Sequence, residues 1–379
     1  MSIVLPINVS CLFKYYFMKY LLTLAIIVFS IIITKAQDKD QKLIIITTDG
    51  FRWQEVFNGM DEEIGSNAKF NQNDSVEIFK RYWDISTENR RKKLLPFFWG
   101  TLAKQGQLYG NRKYDNKVNN ANPYWFSYPG YSEILTGNVD TLINSNEYPP
   151  NPHTNILEFY HHMPNYKGRV AAFGAWDAFD RIINEKRAGF PVINAFDDNS
   201  VALADPQMKL LNTMVQNSFR PFGNAECLDV FTHYQAFHYL TVKKPKVLYI
   251  SYGETDEFAH HGDYKFYLDA AHQFDKWVGE IWDWVQHDPD YKDKTTILLT
   301  TDHGRGNIIK DEWTSHGSDI QDASQIWFGV IGPKVKAMGE MKTNQQIYQE
   351  QLAQTAAMLT GYKFACEHRV AEPAQVVGK

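Results

Sequence analysis

A chain of 379 residues, 44% hydrophobic and 22% charged, is long enough to bury one large core or two smaller ones, and this composition excludes an intrinsically disordered protein. A formal net charge of -5 at pH 7 provides no basic field to attract nucleic acid or an anionic membrane surface. Aromatic residues, at 15%, suit a large core as readily as stacking loops and do not choose between them.

At the amino terminus, Met18 and Lys19 precede an apolar run over 20–33, and Thr34, Lys35 and Ala36 then place small residues before the polar Gln37, Asp38, Lys39 and Asp40. This order predicts a secretory leader over 1–36, starting at Met18 and removed on export. The run falls short of the roughly 20 residues a spanning helix needs, so a retained anchor is the second reading. The expected mature protein, 37–379, is then periplasmic or extracellular, with no stable membrane partner beyond the leader. Cys227 and Cys366 survive cleavage, and an oxidising compartment permits them to pair if their geometry allows it.

A buried strand is expected over 43–48, leading into Asp49, Gly50, Phe51, Arg52 and Trp53. The polar stretch 58–93 reads as a solvated surface excursion. A helix over 94–105 stops at Gly106, and a strand follows over 108–114. Pro129 and Gly130 punctuate a turn into a short helix with Ser127 just before its amino end, where orphan N–H groups and the helix dipole favour an anion. The bland reading of Ser127 is a helix cap.

Alternation continues with a helix over 156–163, a strand over 170–173 and a helix near 177–183. Two helices over 200–216 and 225–242 precede a strand over 246–251. Asp256 and His260, four apart, share a face in a helical turn and could chelate one cation. The helix expected over 264–286 carries Phe266, Ala270, Phe274, Trp277, Ile281 and Trp284 at core spacing. The apolar strand over 297–301 stops at Asp302, His303 and Gly304, a near twin of the first strand and its Asp49. His316 comes next in a loop, a last strand is expected over 325–331 and a closing helix over 345–359. Helices alternating with single strands predict one α/β domain, a three-layer αβα sandwich around a mostly parallel sheet.

Asp49, Ser127, Asp256, His260, Asp302, His303 and His316 all lie at strand ends or in the loops after them. In order, spacing and neighbours they resemble the alkaline phosphatase superfamily, and within it the nucleotide pyrophosphatase/phosphodiesterase branch. That branch ends its first strand in Asp-Gly-Phe-Arg, as Asp49 to Arg52 do here, and its Ser/Thr-Asp-His-Gly pattern is met by Thr301 to Gly304. Its Thr-Phe-Pro-Asn-His stretch, running on to Thr-Gly, is matched by Ser127 to Tyr131 and by Thr136-Gly137. Asp-x-x-Gly-His is met by Asp256 to His260, with Ala259 for Gly.

The resemblance implies an alkaline-phosphatase-like fold and two divalent ions, zinc by preference, although the donor set also admits manganese. Asp256, His260 and His316 would bind one ion. Asp49, Asp302 and His303 would bind the other, with Ser127 beside it as both ligand and catalytic nucleophile. The implied activity is a secreted metal-dependent phosphohydrolase, a phosphodiesterase or nucleotide pyrophosphatase passing through a phosphoserine. The implied partner is a small-molecule phosphate ester.

The chain departs from the branch where Asn-His after the proline becomes Gly130-Tyr131. Asn146 is the candidate for the branch's phosphoryl-holding asparagine, with Asn144 second. Monoesterase relatives place Lys-x-Arg after a mid-chain strand; the segment Phe173 to Asp177 lacks it, which favours diesters and leaves a phosphomonoesterase as the alternative. Arg305 offers a substitute charge or an exposed surface. A sulfatase would need Arg where Tyr131 stands, and a metal-dependent phosphoglycerate mutase would need a large inserted domain.

Overall fold

The computed structural model describes residue 20 and residues 40–198 and 204–378, so the expected leader, Tyr20 aside, lies outside the described residues. Two compact units, Met1–Asp40 and Gln41–Lys379, divide the chain, and the strands and helices of the fold belong to the second.

The described strands are β1 (Lys42–Thr48), β2 (Gln107–Tyr109), β3 (Asn116–Asn119), β4 (Val170–Gly174), β5 (Val192–Asn194), β6 (Val247–Tyr252), β7 (Thr295–Thr300), β8 (Gln325–Ile326), β9 (Phe328–Ile331), β10 (Gly339–Glu340) and β11 (Gln345–Tyr348). Eight form one sheet in the order β10-β2-β9-β7-β1-β6-β4-β5, and β11-β3-β8 form a second. In the large sheet β9 alone runs against its neighbours. β1, KLIIITT, is buried at every position, as a central parallel strand covered on both faces must be.

Seven helices bear on the site: α1 (Trp53–Asn58), α2 (Ser127–Thr136), α3 (Ile156–His162), α4 (Asp229–Lys243), α5 (Glu254–His260), α6 (Tyr264–His287) and α7 (Gln351–Leu359). The period of two along each strand sends Ile44, Ile46, Leu248, Ile250, Ile297 and Leu299 to one face, where α4 and α6 cover them. Leu43, Ile45, Val247, Tyr249 and Leu298 face the opposite side, under α2, α3 and α7. The expected three-layer sandwich is therefore the observed one.

Several local expectations change. The stretch 58–93 is not merely a solvated excursion: its helices Glu62–Ser66, Ser75–Tyr82 and Thr87–Leu94 bury Ile64, Ile78, Tyr82 and Leu94, single apolar residues too widely spaced among polar ones to read as a face. The segment over 94–105 tightens and widens irregularly, with a π-helical turn at Phe98–Leu102. The strand expected over 108–114 ends at Tyr109, because Gly110 turns the chain at φ 117° and Asn111 caps a 3-10 turn, Arg112–Tyr114. The last expected strand divides around buried Trp327 into β8 and β9, which join different sheets. The first part of the expected closing helix is instead β11. On α6, Phe266 is 45% exposed and not core, while Phe274, Trp277 and Ile281 are buried. Cys227 and Cys366 are both free, so they do not pair; Cys227 is buried against Thr232, its Sγ 3.4 Å from Oγ1.

One buried ion pair fastens the loop after β1. Arg52 Nε donates to Glu55 Oε2 at 2.9 Å, and Arg52 NH1 donates to the Gly306 carbonyl at 3.0 Å. Glu55 also accepts from Tyr264 Oη at 3.0 Å, on α6. Removing one partner of such a pair leaves a charge in the core, so Glu55→Ala is expected to cost about 3–5 kcal/mol in urea unfolding. The double variant Arg52→Met/Glu55→Leu, which leaves no orphan charge, is expected to recover most of that loss.

Candidate metal centre

β1 pairs with β6 and β7 on either side, and the registers Thr48 with Tyr252 and Thr47 with Thr300 make the three strands finish level. The segments leaving these three strands therefore emerge into one crevice, where a parallel sheet ordinarily places its chemistry. Asp49 comes directly after β1, α5 after β6 carrying Asp256 and His260, and Asp302 and His303 after β7.

His303 Nδ1 lies 2.9 Å from the Gly304 carbonyl and donates to it, which leaves Nε2 as a lone pair facing the crevice. That Nε2 stands 3.2 Å from Asp49 Oδ1, 3.4 Å from Asp302 Oδ2, 3.6 Å from Asp256 Oδ1 and 3.4 Å from Ser127 Oγ. A second set surrounds His260, whose Nε2 lies 3.0 Å from both Asp256 Oδ2 and His316 Nε2. The expected ligands and Ser127 thus all meet in one place. Asp256 stands between the two sets, one oxygen toward each, where separate triads were expected.

Ser127 is the first residue of α2, one position further in than expected, and Phe126 precedes it in extended conformation. The anion hole foreseen there is narrower than a bare helix end: Pro129 has no N–H, and Tyr128 N donates to Asn146 Oδ1 at 3.0 Å. Asn146 therefore sits next to Ser127 as a partner of its helix. α2 presses hard against the end of β7, since a Cβ on Gly130 would lie 2.4 Å from the Asp302 carbonyl oxygen. This explains a glycine where the resembling branch has asparagine. Tyr131, which displaces the sulfatase arginine, donates to Asp49 Oδ2 at 2.9 Å.

Two buried acids near the crevice were passed over by sequence reasoning. Glu133, buried on α2, accepts from Ala121 N at 2.8 Å, Asn122 N at 3.0 Å, Asn122 Nδ2 at 2.7 Å and Glu350 N at 2.8 Å. Asn122 Oδ1 in turn accepts from Trp125 N at 3.1 Å, and the Trp125 carbonyl accepts from Gly317 N at 3.0 Å, which ties the Ser127 loop to the His316 loop. The one charged residue in the helix SYPGYSEILT was the available signal. Glu226, 7% exposed, is the other, placed by a backbone bridge to Trp176. Arg305 is neither exposed nor free for substrate: it is 1% exposed and its guanidinium is bonded to Asp256, both to the carboxylate and, at 3.0 Å, to the carbonyl.

Burial, then the neighbouring Asp256, pushes the Asp49 carboxyl well above its usual range; burial, then Asp49, does the same to Asp302. For Asp256 burial acts upward too, yet Arg305 and His260 hold it well below. Burial and His303 keep His316 well below an ordinary imidazole, so it stays neutral and able to coordinate. Burial lifts Glu133 to about 7 against its four N–H donors.

The residues fit a divalent cation on two observations. Asp49 Oδ1 and Asp302 Oδ2 are buried without a hydrogen-bond partner, and they face the lone pair of His303 Nε2, acceptor against acceptor. The 3.0 Å between His260 Nε2 and His316 Nε2 is close to the roughly 3.3 Å that two nitrogens on one tetrahedral zinc would keep. Asp256, His260 and His316 form one group able to hold an ion, and Asp49, Asp256 and His303 form another.

Comparison with known proteins agrees with this geometry. Residues 234–362 match the metalloenzyme superfamily. The matched stretch holds α5, β7 and every expected ligand except Asp49 and Ser127. No curated protein matches the chain. Among solved structures, the alkaline phosphatase PafA superposes with a TM-score of 0.54 at 11% identity, over 89% of this chain and 98% of its own. A putative sulfatase from Bacteroides thetaiotaomicron gives 0.55 at 14% identity, over 89% and 74%. The phosphonate monoester hydrolase SpPMH from Silicibacter pomeroyi gives 0.51 at 14% identity, over 85% and 73%. The fold is alkaline-phosphatase-like.

Two substitutions probe the frame without replacing an expected ligand. Gly130→Ala forces a methyl group into the Asp302 backbone and is expected to cost about 1–3 kcal/mol in thermal or urea unfolding. Glu133→Ala strands four N–H donors and is expected to cost on the order of 3 kcal/mol or more.

Proposed function

We propose that this chain is an exported metal-dependent phosphohydrolase that cleaves phosphodiesters or nucleotide pyrophosphate bonds through a phosphoserine at Ser127. The observation that carries this reading is the placement of Ser127 Oγ, buried at the head of α2 and 3.4 Å from His303 Nε2, beside two carboxylates that each keep one buried oxygen without a hydrogen-bond partner. A match to a metalloenzyme family and a phosphatase-like fold support hydrolysis at that spot.

Asp49, Asp302 and His303 would hold one ion and Asp256, His260 and His316 the other, with Asp256 able to serve both. Bound divalent zinc would lower the pKa of the serine hydroxyl and offset charge on the attacking and leaving oxygens. The chain's own part is positional. Ser127 attacks phosphorus in line, its hydroxyl proton going to the departing oxygen, which leaves as an alcohol or phosphate; the phosphoryl group stays esterified to Ser127 with its second ester intact, and water then cleaves the Ser127 ester, releasing a phosphomonoester and regenerating the hydroxyl. The α2 dipole favours the anionic phosphoryl group, and Asn146, its Oδ1 committed to Tyr128, has its Nδ2 protons left to donate to a phosphoryl oxygen.

Charge around the crevice supports a diester over a monoester. Glu226 is buried, and burial, then the neighbouring Glu257 and Asp229, with Asp49 and Asp256 after them, push its carboxyl well above its usual range. It lies beside Trp176, in the region where a monoesterase would carry Lys-x-Arg, and Arg305 is occupied by Asp256. With no Lys-x-Arg pair in the segment 173–177 and Arg305 bonded to Asp256, that side of the crevice offers no cation to a second phosphoryl charge, which favours the monoanion of a diester.

Ser127→Ala is expected to abolish turnover while retaining about two ions per chain, and acid quenching of the wild type during turnover of a diester should trap on Ser127 the phosphoryl group with its remaining ester. Unchanged turnover in the variant refutes the nucleophile. Asp302→Ala and His316→Ala should each lose metal by elemental analysis. Wild-type enzyme is expected to prefer bis-p-nitrophenyl phosphate to the monoester, and the reverse preference selects the phosphomonoesterase reading.

A further inference from the structure

The carboxy-terminal segment carries a second group of metal-capable side chains away from the crevice: Cys366, Glu367 and His368, on a tail whose residue 371 donates from its backbone N–H to the Gly137 carbonyl at 2.8 Å, just past the end of α2. His368 Nε2 donates to the Thr136 carbonyl at 3.0 Å, at the last residue of α2. That bond sets the tautomer and leaves Nδ1 as a lone pair. Cys366 Sγ lies 3.4 Å from each ring nitrogen of His368, and Nδ1, the nitrogen left unprotonated, lies 3.5 Å from Glu367 Oε1. On a tetrahedral zinc these two spacings would be roughly 3.6 Å and 3.4 Å, from ordinary Zn–S, Zn–N and Zn–O lengths.

The carboxylate is held in place before any ion arrives. Glu367 Oε1 accepts from Thr154 N at 3.0 Å and Oε2 from Thr154 Oγ1 at 2.9 Å. The His368 side chain is 9% exposed, and the His153 ring meets it edge to face at 4.9 Å between centroids. His153 is itself oriented by Asp140, Nε2 to Oδ2 at 2.7 Å, the carboxylate–imidazole arrangement that ordinarily steadies a metal-binding histidine. Thiolate, imidazole and carboxylate together select a borderline-soft cation over calcium or magnesium.

We propose that Cys366, Glu367 and His368 bind a zinc-class transition-metal ion, with the fourth position taken by His153 or water, and that this ion clamps the tail onto the far end of the helix that begins with Ser127. Binding releases the Cys366 thiol proton to solvent. The site is independent of the hydrolytic reading, because none of its ligands belongs to the crevice.

Cobalt tests it on the full metal-stripped chain. A thiolate-to-cobalt charge-transfer band in the near ultraviolet can come only from a cysteine site, whereas the crevice has nitrogen and oxygen donors alone. The band is expected to saturate with a single ion, to disappear in Cys366→Ser, to weaken in Glu367→Gln and His368→Ala, and to survive in the crevice variant His316→Ala. His368→Ala retains the thiol, so a weakened, shifted band from a chain with native far-ultraviolet dichroism separates ligand loss from misfolding. Absence of the band in the wild type, or its persistence in Cys366→Ser, overturns the proposal.

Discussion

Three carboxylates, Asp49, Asp256 and Asp302, are buried together where β1, β6 and β7 end, and the structure depends on how their charge is met. Asp256 has Arg305 and His260. Asp49 has the Tyr131 hydroxyl on one oxygen, and Asp302 has the Gly50 N–H on one of its own at 3.1 Å. Asp49 and Asp302 each keep a buried oxygen with no hydrogen-bond donor, turned toward the lone pair of His303. Like charges and lone pairs brought this close in a dry crevice are stable only with protons or cations between them, which makes cation binding part of the fold's own electrostatics.

The alkaline-phosphatase-like sheet supplies the geometry that this charge requires. Level strand ends fix the separations of Asp49, α5 and Asp302 through backbone hydrogen bonding, not through flexible side chains. α2 then has to approach the end of β7 closely enough for Ser127 to reach His303, and Gly130 makes room. Behind it, Glu133 and Asn122 join the Ser127 loop to the His316 loop, so Ser127 and His316 are positioned by a common frame. If the tail site binds its ion, both ends of α2 are held by metal chemistry.

Much of this was legible from residue order. Strands buried on both faces announce themselves as continuous apolar runs, and Leu43 to Thr48 and Ile297 to Thr301 both did; the acids after them were then placed by the strand, whatever the loops became. The Asp256–His260 pair was readable because a helical turn fixes a spacing of four. Less was legible where partners are distant in sequence. Nothing near Arg305 announces that it bonds to Asp256, nothing near His368 places the His153 ring against it, and Glu133 serves residues on both sides of its own helix. Short edge elements such as β10 and β5 carry too few residues to show a period. The division of residues 325–331 into two strands depends on Trp327 being drawn into the core, an event of packing and not of local preference.

The central claim, that the three strand ends build a two-ion centre beside Ser127, is tested most directly by anomalous scattering from crystals of the purified chain equilibrated with zinc. Two peaks are expected in the crevice, one within coordination distance of His260, His316 and Asp256, the other of Asp49, Asp302 and His303 next to Ser127 Oγ. A crevice without anomalous density, with Arg305 still bonded to Asp256, would contradict it.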